Sequence, residues 1–521
     1  MATSSIRKSL GTGAPELSDA QQALTMVDNL ARDNAGFAEL LARGAPAGDA
    51  LAQFGLEFFG RGQFAEAAAA FRWALALAPG DAVLWANYGT ALDRTGSFAE
   101  AAACLERSLE LAPRQPDTWL LLGLVRKKTG DVEGCEAAYR ESLAQQPDSS
   151  TAWQCLGLLK NERRDYAGAI ECFASALKLD PANAATAANL GKLAYELGRL
   201  READEAYAQA VNLEGNNPRY RQMARKVRFL REVLEGETVD GALAAYEVAN
   251  TAAESDAEKK NEKGRRELLE TAFGQLSGFG HLEAAKRVGE KYLELWPDST
   301  AVRYLMNAID GSAKLDRSPS EYIVEHFDAF ASGFDAKLVE VLGYDLPGKI
   351  CAAVRQLTPA GHRYEAVDAG CGTGLCGPLL RPLCRQLVGV DLSPKMLDRA
   401  RQRGLYDRLV CGELTDFLER CPGQFDLLVA ADVLIYLGDL AEVFEAAASA
   451  LRGGGMFAFS TEPFAGESYR LQPSGRFAHA TEYVRSVAKG NFLERIFEET
   501  TIRLEAGARV AGNLFVFQCK S

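Results

Sequence analysis

Four prolines at one interval constrain this 521-residue chain more than any other feature: Pro79, Pro113, Pro147 and Pro181 stand 34 residues apart. Trp85, Trp119 and Trp153 keep the interval, as do Gly55, Gly89, Gly123, Gly157 and Gly191, and the series Phe71, Leu105, Tyr139, Phe173 and Tyr207. Small residues hold a fifth position: Ala67, Ala101, Cys135, Ala169 and Ala203. A period held at several positions at once means stacked copies of one supersecondary unit. The residue types make that unit a helical hairpin. Glycine or alanine lets two helices approach, the large residue fills the gap beside it, and proline stops the second helix. A lone hairpin cannot bury its apolar face, so neighbours must stack.

These positions resemble the tetratricopeptide repeat, five units over residues 48–217. The resemblance implies an all-α solenoid whose first helices line a groove for a protein or peptide partner. Leu120, Leu124, Lys127, Lys128, Gln154, Leu158 and Asn161 are expected to face it. The basic runs at 126–128 and 163–164 either draw an acidic partner or are ordinary exposed charge on helix ends. Residues 1–47 are expected to form a helical cap, with residues 17–43 amphipathic, and residues 218–310 a helical extension. That extension holds a degenerate unit over 266–309, ending at Pro297, with a capping helix after it. The charge run at 258–268 reads as a solvated helix surface or an exposed hinge.

Hydrophobic residues make up 47% of the chain and charged residues 25%, which fits folded, soluble protein. A net charge of −13 argues against a general nucleic-acid surface, which needs cations to neutralise phosphates. No apolar run is long enough to span a bilayer and the N-terminal stretch lacks a secretory h-region, so a cytoplasmic protein without a membrane partner is expected. The 11 cysteines include no CxxC pair, which suits reduced thiols in apolar surroundings.

After Gly311 the period changes. Short apolar runs at 364–370, 386–393, 408–414, 425–434 and 454–463 alternate with helical segments, which predicts a mostly parallel, doubly wound sheet over residues 311–521. The runs at 501–507 and 513–520 have no helix between them and suit an antiparallel hairpin closing one edge. In such sheets ligands sit beyond the carboxyl ends of the strands.

The first of these ends carries VDAGCGTGLCG, residues 367–377. It lacks the lysine and hydroxyl of a phosphate loop, and its glycines Gly370, Gly372 and Gly374 follow GxGxG with Asp368 ahead of them, not a dinucleotide fingerprint. A carboxylate there suits a cationic ligand better than a pyrophosphate. S-adenosylmethionine is such a ligand, with an amino group, a sulfonium and no phosphate. Asp368 would accept from its amino group, directly or through water; Asp391 suits the ribose hydroxyls, and Glu413 the adenine amine. Asp432 either shapes the pocket wall or caps a turn.

Together with VGVDLS and FDLLVAADVLIYLGDL, this loop resembles the class I S-adenosylmethionine-dependent methyltransferases over roughly residues 318–521. The upstream EHFDAFASGFDAKL, of pattern FDxFAxxFD, is similar to the helical lead-in of one subgroup of them. The resemblance implies a Rossmann-like domain with a seven-stranded sheet, and a cofactor site that also takes in Cys371, Leu392, Met396, Leu414 and Ala431. The polar, glycine-broken segment 462–484 would cover the acceptor, with Tyr436, Tyr469, Arg470, Arg476 and Tyr483 as contacts. His479 is a candidate general base or a helix-start residue bonding backbone. ADVLIY stands where enzymes of exocyclic or amide nitrogens carry [ND]PP[YF], which favours oxygen acceptors such as a carboxylate or hydroxyl. No metal-ligand spacing is present. The acceptor stays open, and so does a second reading: an interaction scaffold whose C-terminal domain senses the cofactor without turnover.

Overall fold

In the first half of the chain the periodic glycines set the helix spacing. A Cβ built on Gly55 would fall 2.7 Å from the Phe71 ring, on Gly89 2.9 Å from Leu105, on Gly157 2.8 Å from Phe173 and on Gly191 2.9 Å from Tyr207; on Gly123 it would strike Tyr139. Each glycine admits the large residue sharing its register, and the small residues from Ala67 to Ala203 are fully buried beside them. The indole N–H of Trp85, Trp119 and Trp153 donates to the carbonyl of Pro79, Pro113 and Pro147, tying each first helix to the end of the helix before it. Gly123→Ala should therefore cost about 1–3 kcal/mol by overpacking, read as a lower urea midpoint; unchanged stability would mean the helices part cheaply.

The computed structural model describes residues 19–251, 257–311, 315–335, 344–505 and 508–521. Residues 1–18 of the expected cap, 336–338 of the lead-in pattern and 506–507 of the final hairpin lie outside the described residues, as do the side chains of 258–261 in the charge run. The helices are α1 (Asp19–Asp33), α2 (Ala35–Ala42), α3 (Ala47–Gly60), α4 (Phe64–Leu77), α5 (Ala82–Thr95), α6 (Phe98–Leu111), α7 (Pro116–Thr129), α8 (Val132–Gln145), α9 (Ser150–Glu162), α10 (Tyr166–Leu179), α11 (Ala184–Glu196) and α12 (Leu200–Leu213). They continue as α13 (Pro218–Leu234), α14 (Val239–Thr251), α15 (Ala257–Gly278), α16 (Leu282–Leu295) and α17 (Thr300–Asp310). The chain divides into two compact units, 1–195 with 201–224, and 196–200 with 225–521.

In the first unit the basic run at 126–128 is neutralised within the array. Arg126 pairs with Glu106 at 2.7 Å, Lys127 with Glu162 at 2.6 Å and Lys128 with Asp93 at 2.5 Å, each partner belonging to a neighbouring repeat. Arg163 pairs with Glu136. Of the two readings of these runs, ordinary charge on helix ends fits the pairing of Arg126, Lys127, Lys128 and Arg163, since a 34-residue period brings acids of adjacent repeats within reach of them.

The second unit carries the sheet. Its strands are β1 (Tyr364–Ala369), β2 (Cys384–Asp391), β3 (Arg408–Cys411), β4 (Phe425–Ala430), β5 (Leu451–Pro463), β6 (Tyr469–Leu471), β7 (Phe477–His479), β8 (Phe492–Glu505) and β9 (Ala508–Cys519). β3, β2, β1, β4 and β5 run parallel in that order, and β9 then β8 continue antiparallel beyond β5. The apolar runs thus form the doubly wound sheet, switching direction between β1 and β4, and the last two runs form the edge hairpin. The described strands number nine rather than seven, because the segment expected only as a cover folds into the β6–β7 hairpin on the end of β5. Helices α18 (Ser320–Phe330), α19 (Leu346–Leu357), α20 (Gly377–Leu380), α21 (Pro394–Arg403), α22 (Leu414–Glu419), α23 (Ala441–Ala450) and α24 (Thr481–Ala488) complete the unit. One core lies under each face, around Phe444, Phe457 and Phe515 on one side and Ile350, Leu387 and Val516 on the other.

Candidate functional site

Beyond β1 the backbone turns through Gly370, Gly372 and Gly374 with φ of 60°, 52° and 86°, a region where a side chain is strained. The three glycines differ in what surrounds them. A Cβ on Gly370 would meet Val433 at 2.5 Å and one on Gly374 the Tyr406 ring at 3.0 Å, whereas one on Gly372 would meet nothing within 4 Å. Only Gly372 leaves open space above the loop.

Asp391, at the end of β2, faces this turn. Its Oδ2 accepts the Gly372 N–H at 2.8 Å and its Oδ1 the Ser393 N–H at 2.8 Å. Burial raises its pKa and these amides oppose the rise. Each oxygen retains a lone pair, so the carboxylate can still take a pair of vicinal hydroxyls.

Asp368, expected to accept from the cofactor's amino group directly or through water, is enclosed by protein. It is 1% exposed and its Oδ2 accepts the Tyr406 hydroxyl at 2.6 Å, so it lies beneath the loop and does not open onto the space above it. Burial pushes its pKa up to about 7, with the Tyr406 hydrogen bond opposing. Three other expected cofactor contacts are packed into the domain. Met396 is fully buried in the first turn of α21, where its N–H is capped by the Ser393 hydroxyl. Glu413 is the N-cap of α22, taking the Asp416 N–H at 3.0 Å, so its carboxylate serves the helix. Leu414 is buried on that helix, while Leu392 and Ala431 are half-buried and Cys371 is 6% exposed.

The lead-in supplies two aspartates that sequence reasoning did not single out, although both stand in its FD pattern. Asp328 accepts the Ser393 hydroxyl at 2.6 Å, two residues past Asp391. Asp335 accepts from the Thr373 hydroxyl and from Arg403 at 2.5 Å, and Arg403 in turn donates to the Thr373 carbonyl at 2.7 Å. The ends of β1 and β2 are thereby held from one segment.

At the ends of β4 and β5 lies a buried charge group. Arg503 of β8, 5% exposed, donates to both oxygens of Asp432 at 2.9 and 3.2 Å and to Glu462 at 2.5 Å. Glu462, 4% exposed, also pairs with Arg476 at 3.2 Å and accepts from Gln472 at 3.3 Å. Asp432 has φ of 61°, uncommon for a residue with a side chain. Tyr436 is near this group, its ring 5.6 Å from Phe327 of the lead-in and its pKa raised chiefly by burial. Tyr304 of α17 donates to the Gly475 carbonyl at 2.8 Å, bracing the hairpin that carries Arg476.

The remaining expected acceptor residues gather elsewhere. Tyr483 accepts the Leu440 N–H and donates to Asp439, each at 2.9 Å, and Tyr469 donates to Asp316 at 2.5 Å. Arg470 is exposed. His479 is fully buried, its ring stacked 6.2 Å from Tyr483 and its Nε2 2.8 and 3.2 Å from the Leu437 and Gly438 carbonyls. Glu462 pairs in register with Ala478 and Pro463 with His479, so His479 leaves the β5–β7 pairing on the face opposite Glu462. Of the two roles expected of it, this placement fits the residue that bonds backbone: the histidine fastens the 437–438 turn.

Burial lowers the His479 pKa to about 4 from an ordinary 6.5. The unfolded chain then binds more protons between those values. His479 thus contributes stability that is full above about pH 6.5 and falls away as pH drops toward 4. Between about pH 7 and about pH 4.5 wild type should lose about 2–3 kcal/mol more than His479→Gln by urea denaturation; parallel slopes would contradict the assignment.

A glycine turn and an acid at the ends of β1 and β2, in a sheet of this strand order, place the domain in the doubly wound class with its candidate ligand site at the switch point. The comparisons agree with that class. A family profile described as a methyltransferase domain matches residues 367–459, and tetratricopeptide repeat profiles match 52–116, 89–150, 120–184 and 161–227. The chain is 34% identical over 93 residues to nodulation protein S of Rhizobium tropici, covering 18% of this chain and 39% of that protein. It is 35% identical over 79 residues to the 18S rRNA (guanine-N(7))-methyltransferase of Bos taurus, covering 15% and 28%. To the ubiquinone biosynthesis O-methyltransferase of Thiobacillus denitrificans it is 32% identical over 118 residues, covering 21% and 50%. The chain spans half or less of each of these relatives. It carries tetratricopeptide repeats followed by a methyltransferase domain. The acceptors printed for these relatives include both a base nitrogen and an oxygen, so the matches set no acceptor. Among the described residues no helix is long and apolar enough to cross a membrane.

Proposed function

We propose that the C-terminal domain is an S-adenosylmethionine-dependent methyltransferase acting on an oxygen nucleophile, and that the repeats dock the protein that is methylated or that carries the acceptor. The observation that carries this reading is Asp391, held by the Gly372 and Ser393 amides beside the one glycine of the 370–374 turn whose missing side chain leaves open space. The donor set fits the cofactor: two carboxylates, Asp368 and Asp391, stand at the turn, which suits a cationic, phosphate-free nucleoside. When bound, S-adenosylmethionine supplies a methyl group already activated by a positive sulfur. Asp391 would hold the ribose, the turn around Gly372 would let the ligand approach the backbone, and Asp368 beneath would supply negative potential.

The acceptor side favours a group that needs no proton removed. Asp432 and Glu462 are both tied to Arg503, and His479 lies on the far face of the β5–β7 pairing. A carboxylate is already ionised near neutral pH, and Arg476 at the hairpin is the side chain suited to orient it. Label transfer tests the reading. Full-length protein, labelled S-adenosylmethionine and a lysate fraction retained by the protein should give label that mild base releases as methanol. Base-stable label would rule out the carboxylate, and cofactor binding without any transfer would favour the sensing scaffold.

A further inference from the structure

Tyr406 sits between α21 and β3, outside every motif that the sequence displays. Its hydroxyl donates to Asp368 Oδ2 at 2.6 Å. Its ring lies against three glycines from two elements: a Cβ would come within 3.0 Å of it at Gly374, 3.2 Å at Gly377 and 3.0 Å at Gly389. Those glycines make room for a protein side chain, whereas Gly372 faces open space. The other titratable groups facing Asp368 are Cys376, which hydrogen-bonds it, and Asp391, Cys371, Cys351, Cys384 and Tyr344. None of these is a cation.

We propose that Tyr406 is a positioning residue of the cofactor site: its hydroxyl fixes Asp368 under the turn and supports its charged form, so that binding a cation above the turn expels a proton from Asp368 to solvent. The proposal rests on the reading of the domain as a binder of S-adenosylmethionine. Burial raises the Asp368 pKa to about 7 and the phenol opposes that rise, while Tyr406's own pKa is driven up by burial, so it stays a donor. Near neutral pH the carboxyl is therefore poised between its two states, and a ligand's positive charge would tip it.

The experiment is titration calorimetry of the full chain with S-adenosylmethionine from about pH 5.5 to about pH 8.5, in buffers of different ionisation enthalpy, for wild type and Tyr406→Phe. Wild type should release up to one proton per ligand around neutral pH. Tyr406→Phe keeps the ring, so its melting temperature should stay close to wild type. Its affinity should fall about tenfold at neutral pH and approach wild type at high pH, the profile moving up by about one pH unit. A merely structural ring would leave the profile where it was, and superposed profiles overturn the proposal. Asp368→Asn provides a second test: it should abolish the proton release, and release that persists in it also overturns the proposal. Wild type that binds no S-adenosylmethionine at any pH defeats the underlying reading instead.

Discussion

Asp391→Ala should weaken S-adenosylmethionine binding by a factor on the order of 10² to 10³, with the fold retained. The carboxylate is assigned two tasks, and alanine removes both. It accepts the Gly372 and Ser393 amides, which shape the turn before any ligand arrives, and it would take two ribose hydroxyls. Hydrogen bonds to a charged group are worth about 1.5–3 kcal/mol each, so losing a pair in the lower half of that span accounts for the loss. Asp391→Asn should fall in between, since its amide would turn a donor toward one of two amide donors. Calorimetry measures the loss and the melting temperature controls for folding. A loss below about tenfold would mean the ribose is held elsewhere.

Arg503→Met should destabilise the domain by about 3–5 kcal/mol, because it removes the buried cation that Glu462 and Asp432 share. Arg503 and Glu462 are almost entirely buried, so water cannot replace the guanidinium cheaply. The penalty arises from buried negative charge that has lost part of its compensation, so adding Glu462→Gln should recover some of it. Urea denaturation of the two variants measures both effects. A single-variant loss under about 1 kcal/mol would show that solvent reaches the group freely.

What the sequence disclosed follows from where the chemistry is local. The repeat was legible because the Gly123 and Tyr139 series recur at a fixed offset, and the contact between them is made within one hairpin. The turn at Gly370–Gly374 and Asp391 were legible because each ends a strand that periodicity marks. Arg503 was not: it stands in an ordinary alternating strand, and only the antiparallel return of β8 brings it to Asp432, 71 residues away in sequence. Tyr406 was hidden for the same reason, since its target Asp368 lies 38 residues earlier. His479 and Glu413 were less legible because residue type suggests a chemistry, whereas local geometry supplies each with backbone partners. A half-turn of strand pleat put the histidine on the wrong face, and a helix beginning at Leu414 claimed the glutamate as its cap.

The gap above Gly372 should hold a nucleoside without phosphates, S-adenosylmethionine or its demethylated product. A crystal structure of the full chain grown with S-adenosylhomocysteine addresses this most directly. The expected result is the ligand's ribose on Asp391 and its amino-acid end passing over Gly372, with Tyr406 still bonded to Asp368 below. Ligand lodged elsewhere, with Asp391 and Gly372 untouched, would contradict it.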